Sequence, residues 1–195
     1  MTPRDPEATK ARIFDAATSE FAAYGIAGAR VDRIARNAKA NKQLIYAYFG
    51  DKQALFQQVL EKAMVDVAAA VTTDISDLDN WIDQHLDYHR AHPEFLRLQM
   101  WEALEVGAKD AVAGEQRAAR YADKKDKVAD AQRRGLIRDD LPAGQVLTLL
   151  MGLMNYSEAV PQVRRFLVGD DFDPDGLRPV IKDAARRAVA APDES

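Results

Sequence analysis

Six polar side chains between positions 41 and 52 carry the chemical groups that recognise nucleic acid. Amides, ammonium groups and phenols donate to phosphates or pair with base edges in the major groove, and this short stretch holds Asn41, Lys42, Gln43, Tyr46, Tyr48 and Lys52. In a helix, the 3.6-residue period places Lys42, Gln43 and Tyr46 on the side opposite Ile45 and Phe49. We expect base or near-base contacts from Lys42, Gln43 and Tyr46, and backbone contacts from Asn41, Tyr48, Lys52 and Arg30.

Two short helices are needed to present these side chains. In the first, apolar residues recur at i, i+3, i+4 and i+7, namely Val31, Ile34, Ala35 and Ala38. After a three-residue interruption, Asn41 is a good N-cap for the second helix, Gly50 suits its end, and Asp51 suits the start of a third. Two helices joined by a tight turn form a helix-turn-helix, whose second helix fits a major groove. Helical hairpins are also common in all-α proteins, so periodicity alone leaves a purely structural role open.

The order of residues in this stretch is more specific than its periodicity. Residues 45–52 read Ile-Tyr-Ala-Tyr-Phe-Gly-Asp-Lys. Upstream of them stand Phe21, Gly25, Val31, Ile34, Ala35 and Ala38. This order resembles the DNA-binding domain of the TetR family of bacterial transcriptional regulators, whose recognition segment typically ends in Leu-Tyr-x-Tyr-Phe, a small residue, one more residue and Lys. The resemblance covers roughly the first quarter of the chain and implies an operator-binding head.

Three positions depart from the family pattern. Lys39 stands where the turn usually has Gly, which predicts a more strained or differently shaped turn. Arg30 replaces the usual hydroxyl cap of the first motif helix, and Leu44 replaces a frequent Thr and offers apolar contact to a thymine methyl. These departures bear on the operator sequence rather than on how the helix docks.

All three histidines lie within one predicted helix, at i, i+4 and i+7: His85, His89 and His92. That spacing gives a common face, as a metal site requires, and a metal-sensing regulator is an alternative that these residues leave open. Histidines on half-exposed helix faces are ordinary, however, and His92 precedes Pro93 at a helix end. We therefore expect no metal site and no cofactor. No nucleophile, base and acid can be assembled from the spacing of the other residues, so we expect no enzyme activity.

Aromatic and methionine side chains of the C-terminal part are candidates for effector binding. Most such residues are core, but the resemblance implies an inducer pocket enclosed by these helices. The polar tips of Trp101 and Tyr156 suit ligand orientation, and Met151 and Met154 adapt to ligand shape. The full predicted set is Tyr88, Met100, Trp101, Tyr121, Met151, Met154 and Tyr156.

Composition and charge set the outer limits. The chain has 195 residues, 47% hydrophobic and 30% charged, which is typical of a globular protein. No apolar run approaches the roughly 18 residues of a membrane span, no secretion signal opens the sequence, and the absence of cysteine fits a reducing cytoplasm. The formal net charge is -4, yet the sequence through Lys52 has more basic than acidic residues and the remainder is acidic. Such a distribution suits a protein that touches DNA at one end only.

The periodicity predicts an all-α fold of about nine helices. We expect a DNA-binding domain over residues 1–52 and a ligand-binding and dimerisation domain over 53–195. The first helix should be capped by Asp5, open at Pro6 and close at Gly25. Ser76 with Asp79 reads as a capping box. A long polar helix is predicted over about 109–134, and a last helix to about Ala191 whose start Pro179 obscures.

Residues 146–155, VLTLLMGLMN, are apolar on nearly every side. A helix that faces only its own core needs one apolar stripe, so a second face is available for another subunit. Gly152 permits close helix approach. Together with the last helix, this segment is predicted to contribute to a four-helix homodimer interface, the arrangement that the resemblance also implies.

The sequence thus predicts a homodimeric repressor that inserts two recognition helices into a palindromic double-stranded DNA operator and is released by a small apolar or aromatic effector. The alternative is a helical protein that binds a small molecule and whose helix-turn-helix is only structural.

Overall fold

The computed structural model describes residues 5–107 and 109–191. Within those residues the regular structure is helical, with no strand, so the all-α prediction is confirmed. The ten helices described are α1 (Pro6–Gly28), α2 (Val31–Asn37), α3 (Lys42–Phe49), α4 (Lys52–Ala70), α5 (Leu78–Ala91), α6 (Glu94–Glu105), α7 (Gly114–Arg133), α8 (Ala143–Ala159), α9 (Pro161–Val168) and α10 (Pro174–Val189). None of the described helices is long and apolar enough to cross a membrane.

Side-chain caps explain where several helices begin. Asp5 accepts hydrogen bonds from the N–H groups of Glu7 and Ala8, and Pro6 occupies the first turn, as predicted. Asn41 accepts from the N–H of Gln43 at the start of α3. Each cap satisfies an N–H group that the helix itself leaves without a partner.

Two helix starts were predicted wrongly, for different reasons. The cap of α5 is Asp77, which accepts from the N–H of Asn80, rather than Ser76. The polar helix α7 begins at Gly114, and Ala113 just before it has φ +51°, a left-handed conformation that interrupts helical backbone. In α10, Asp173 and Pro174 form the start, and Pro179 lies inside the helix.

The chain divides into two compact units, and the first contains α1, α2, α3 and α6 with α4 as far as Asp66. In it, α1 packs against both α2 and α6. The Phe21 and Phe56 rings meet edge to face with centroids 5.3 Å apart. Ile13, Ile34 and Ile45 are fully buried beside them. Burying these side chains fixes α1, α2 and α3 together.

The second unit comprises Val67–His92 and the chain from Glu115 onward. Its core lies among α5, α8 and α10, which pack pairwise. The most deeply buried large side chains are Trp81, Ile82, Leu150 and Met154. The predicted domain boundary between residues 52 and 53 stays a prediction.

Candidate nucleic-acid interface

The outer face of α3 carries the predicted base-contact residues. Lys42, Gln43 and Tyr46 are exposed, whereas Ile45 and Phe49 are buried against the rest of the first unit. The helix ends at Gly50, whose φ of +82° is the left-handed conformation that glycine adopts readily. The buried side chains therefore fix the orientation of α3, so that its polar side chains face solvent.

The turn between α2 and α3 is strained at the position where a glycine was expected. Lys39 has φ +52°, which costs a residue with a Cβ roughly 1–2 kcal/mol. The N–H of Ala40 donates to the Ala35 carbonyl at 2.9 Å, and the Arg12 Nε of α1 donates to the Ala38 carbonyl at 3.2 Å. These bonds hold the turn, and they place the Lys39 side chain at the surface. A polar concavity of about 420 Å³, lined by Thr9, Arg12, Lys39, Ala40, Asn41 and Leu44, lies beside it.

A buried carboxylate holds the residue that precedes α2, where no side-chain cap is present. Arg30 makes no side-chain cap, but Glu20 of α1 accepts from the Arg30 N–H at 2.8 Å and from the Arg33 guanidinium at 2.6–2.9 Å. The Arg33 guanidinium also lies 4.0 Å from the centroid of the Tyr24 ring. Burial disfavours the charged form of Glu20, yet the bonds from Arg33 and Arg30 outweigh it and lower the Glu20 pKa. Glu20 and Arg33 could not be predicted from the sequence, because nothing in local spacing reveals a pair 13 residues apart.

Two predicted DNA-contact cations already have partners within the chain. The Lys42 ammonium lies 2.8 Å from Asp32, and this hydrogen bond raises the Lys42 pKa. The Lys52 ammonium donates to the carbonyls of Ala27 and Ala29 at 3.3 and 3.1 Å. The Tyr48 ring is half-buried, with the Lys10 ammonium 5.4 Å from its centroid.

The predicted effector residues are divided between the two units. Met100 and Trp101 belong to the first, and the Trp101 indole donates to the Ala22 carbonyl at 3.2 Å. The others lie in the second unit. There Tyr88 and Met154 are buried, Met151 is half-buried, and Tyr121 and Tyr156 are exposed. Their role in effector binding stays a prediction.

The three histidines have separate environments: His85 and His89 lie in α5, and His92 follows its last residue. His85 Nδ1 lies 2.8 Å from the Trp81 carbonyl, and because a carbonyl only accepts, this nitrogen carries the proton. His89 Nε2 lies 2.9 Å from the Asn155 amide oxygen. His92 is exposed, with its ring 4.5 Å from that of Tyr88. Across residues 5–107 and 109–191, no group of three or more His, Cys, Asp or Glu side chains is placed to hold a metal.

An apolar groove runs between α8 and α10 in the second unit. It measures about 650 Å³ and is lined by Thr148, Leu149, Gly152, Leu153, Tyr156, Ser157, Leu177, Val180, Ile181, Ala184 and Ala188. Leu149 is 50% exposed, and Tyr156 and Val180 are each 59% exposed. An ideal Cβ built on Gly152 would meet no atom within 4 Å. The groove contains no charged side chain.

Opposite the groove, charged side chains join α10 to α5. Acidic residues recur every four positions on α5 and basic ones every four on α10, which places each set on one face of its helix. Asp79 pairs with Arg186 at 2.9 Å, and Asp83 pairs with Lys182 at 2.6 Å and Arg178 at 2.8 Å. We call these contacts the α5–α10 ladder. It fixes the rotation of α10 and so determines which residues line the groove.

Comparison with known proteins shows likeness along nearly the whole chain. Residues 13–59 match a family described as bacterial regulatory proteins, tetR family. Residues 77–187 match one described as a tetracyclin repressor-like C-terminal domain. The HTH-type transcriptional repressor SCO4008 of Streptomyces coelicolor is 55% identical over 190 residues, covering 97% of this chain and 99% of that protein. The HTH-type transcriptional repressor NicS of Pseudomonas putida is 33% identical over 106 residues, about half of each chain.

Solved structures agree with these matches. The crystal structure of SCO4942 from Streptomyces coelicolor superposes with a TM-score of 0.83 at 33% identity, covering 94% of this chain and 99% of that one. A TetR family transcription regulator from Marinobacter aquaeolei VT8 has a TM-score of 0.74 at 19% identity, covering 97% of this chain and 99% of that one, which shows a shared fold.

Proposed function

Because the chain belongs to the tetR family of bacterial regulatory proteins, we propose that it represses transcription by binding a palindromic DNA operator as a homodimer, and that a small apolar or aromatic effector releases it. A DNA-binding regulator is what the family establishes. Repression is the direction named for SCO4008 and NicS, and we extend it to this chain. Acting on chromosomal DNA places the protein in the cytoplasm.

The exposed face of α3 is the observation that carries this proposal. Lys42, Gln43 and Tyr46 stand side by side on the second helix of a helix-turn-helix, at the correct place for a major groove. We assign base or near-base contacts to these three residues. Asn41, Tyr48, Lys52 and Arg30 are assigned to the phosphate backbone, which fixes register without reading sequence.

The α8–α10 groove supports the homodimer. A groove of this size without charge, edged by half-exposed large apolar side chains, is costly to leave in water. A second copy of the same two helices covers it by two-fold symmetry. The two heads would then enter successive major grooves about 34–36 Å apart.

Release by effector requires a difference in affinity between two states. An effector weakens operator binding only to the extent that its affinity is higher for the conformation that cannot bind DNA than for the one that can. We assign the effector to the C-terminal part of the chain. The candidate contacts in the second unit are Tyr88, Tyr121, Met151, Met154 and Tyr156, and those in the first unit are Met100 and Trp101.

The test begins with a duplex enriched from a random-sequence library by the full chain. Affinity for that duplex, measured by fluorescence anisotropy between about 50 and 200 mM salt, should fall steeply as salt rises because phosphate contacts release counterions. The enriched sequence should be palindromic. Binding that is absent, or that shows no salt dependence, would overturn the proposal and favour a small-molecule-binding protein with a purely structural motif.

A further inference from the structure

The helix α1 is interrupted one turn before its end. Gly25 has φ +68° and ψ −174°, so the helical hydrogen bonds stop there and restart beyond it. A Cβ at this position would lie 2.2 Å from the Glu105 Oε1 and 2.7–2.8 Å from the Trp101 ring. Only glycine fits. A break of this kind leaves a carbonyl before it and N–H groups after it without helical partners.

Three side chains of α6 supply those partners. Arg97 Nε and Trp101 Nε1 donate to the Ala22 carbonyl at 2.7 and 3.2 Å. The Glu105 carboxylate accepts from the N–H groups of Ile26 and Ala27 at 3.1 and 2.7 Å. Arg97, Trp101 and Glu105 are spaced four residues apart, so they share one face of α6. We call these three residues the α6 clamp.

The clamp acts on the segment that leads into the helix-turn-helix. Glu105 holds the N–H groups of residues 26 and 27, while Lys52 holds the carbonyls of Ala27 and Ala29. The next N–H, that of Arg30, is held by Glu20. The Arg33 guanidinium also donates to the Gly28 carbonyl at 3.4 Å, so each of residues 26–30 has a backbone group held by a side chain. Hydrogen bonds weaken steeply with distance and angle, so this set defines one direction for the chain.

We infer that Arg97, Trp101 and Glu105 are positioning residues for operator binding. They act through the break in α1 and touch no DNA; this inference rests on the proposed function. By fixing the direction in which the chain leaves α1, the α6 clamp sets the placement of α2 and therefore of the exposed face of α3. Glu105 should make the largest contribution, because its carboxylate forms two charge-assisted hydrogen bonds, whereas Arg97 forms one and the neutral Trp101 indole forms none.

The sign of the effect separates this role from plain electrostatics. A carboxylate in a DNA-binding unit repels phosphates, so its removal should strengthen DNA binding if charge alone matters. The clamp predicts the opposite. Glu105→Ala should weaken binding to the library-enriched duplex by about tenfold or more, since two charge-assisted hydrogen bonds are lost. The salt dependence should keep its slope, because the number of phosphate contacts is unchanged.

Graded and matched variants complete the experiment. Glu105→Gln keeps one acceptor oxygen and should show an intermediate loss, and Trp101→Phe keeps the ring over Gly25 but removes the bond to Ala22. The control is Glu61→Ala, which removes an equal charge from an exposed site on α4 of the same unit and should not weaken binding. Affinity is referred to the active fraction from stoichiometric titration, so partial unfolding is not counted as weak binding.

Hydrogen exchange gives a readout that needs no DNA. The amides of Ile26 and Ala27 should exchange faster in Glu105→Ala and Glu105→Gln than in the wild-type chain. If the wild-type chain binds no duplex, the proposed function fails, while faster exchange still establishes the clamp at the backbone. If the wild-type chain binds and the Glu105 variants bind equally well, or if their salt slope changes, the positioning role is wrong.

Discussion

The proposed DNA contact of Lys42 competes with its ion pair to Asp32. The two groups lie 2.8 Å apart, but both side chains are well exposed to water. Exposed ion pairs contribute little free energy, so a phosphate or a guanine edge can replace the carboxylate easily. Asp32 therefore holds Lys42 over the outer face of α3 in the free protein without blocking it.

Truncation of Lys42 or Tyr46, two of the three predicted base contacts, should weaken operator binding. Lys42→Ala and Tyr46→Ala are each expected to cost about 1–3 kcal/mol with the enriched duplex and less with unrelated DNA. Asp32→Asn should strengthen binding, because it frees Lys42 and removes a negative charge. Anisotropy titrations measure all three. Lys62→Ala on α4, an exposed lysine also paired with a carboxylate, is the control, and equal affinities for Lys42→Ala and that control would contradict the assignment.

His85 should make folding sensitive to mild acid. Burial lowers its pKa to about 4; the hydrogen bond to Trp81 opposes this, and the nearby charges of Lys124 and His89 add to it. Because the unfolded chain keeps the ordinary value near 6.5, it binds the proton more tightly than the folded chain does. The free energy of unfolding should therefore decrease as the pH falls from 6.5 to about 4, by about 3 kcal/mol in all. Below about 4, His85 should cause no further decrease.

Urea unfolding of His85→Gln between pH 7 and 4 checks this. The variant should lose much of the wild-type pH dependence in that window. His92→Gln, which changes an exposed histidine just after the same helix, is the matched control and should retain it. Identical pH profiles for His85→Gln and the wild-type chain would show that another group is responsible.

At the scale of elements, the α5–α10 ladder makes the stability of the second unit depend on pH in a more acidic range than His85 does. Burial disfavours the charged form of Asp83, but the bonds from Lys182 and Arg178 outweigh it and lower its pKa, and the bond from Arg186 lowers the pKa of Asp79. A lowered carboxyl pKa contributes stability above the ordinary value of 3.8 and loses it as the pH falls through the folded-state value. This window lies below that of His85.

Asp83→Asn should destabilise the second unit at pH 7, because it leaves half-buried Arg178 and Lys182 without their shared carboxylate. The loss relative to wild type should shrink as the pH falls below 3.8. Circular dichroism melts at pH 7, 5 and 3 follow both effects. A constant difference across these values would show that the charge of Asp83 contributes nothing. Asp66→Asn, at an exposed pair on α4, is the control.

Local signals in the sequence predicted most helix ends and the outer face of α3. Asn41 and Gly50 act within four residues, so their roles can be read directly. What could not be predicted joins distant positions. The α6 clamp connects residues 75–79 apart, and the ladder connects residues 95–107 apart. Gly25 was expected to end α1. Instead the helix continues after Gly25 as far as Gly28, because α6 supplies hydrogen-bond partners for the backbone groups at the break.

At the scale of the whole molecule, the proposed homodimer can be tested at Gly152 and Leu153, which both line the α8–α10 groove. Gly152 has empty space around it within one chain, so a side chain there disturbs nothing internal and even improves helix propensity. Only a second copy brought close to Gly152 makes the position sensitive. The half-buried Leu153 on the same groove is sensitive for a different reason, since a charge buried there lacks a partner.

Gly152→Ile and Leu153→Glu should both convert dimer to monomer while the helical circular dichroism spectrum stays unchanged. Multi-angle light scattering on the full chain gives the mass directly. Gly114→Ile is the matched control, because Gly114 also lacks neighbours within 4 Å but lies at the start of α7, outside the groove. Dimers of wild-type stability in both groove variants would place the interface elsewhere.

The ladder also has a consequence for which chains can pair in the proposed homodimer. It turns the cations of α10 that it uses, Arg178, Lys182 and Arg186, toward α5, so none of them lines the groove. In the proposed homodimer the groove therefore presents shape rather than charge to the second copy, unlike many coiled coils, whose pairing is selected by charge. We expect steric fit at Gly152 to decide which chains pair: a chain with a bulky residue there would be rejected, and a chain with a small residue would be accepted as a mixed dimer.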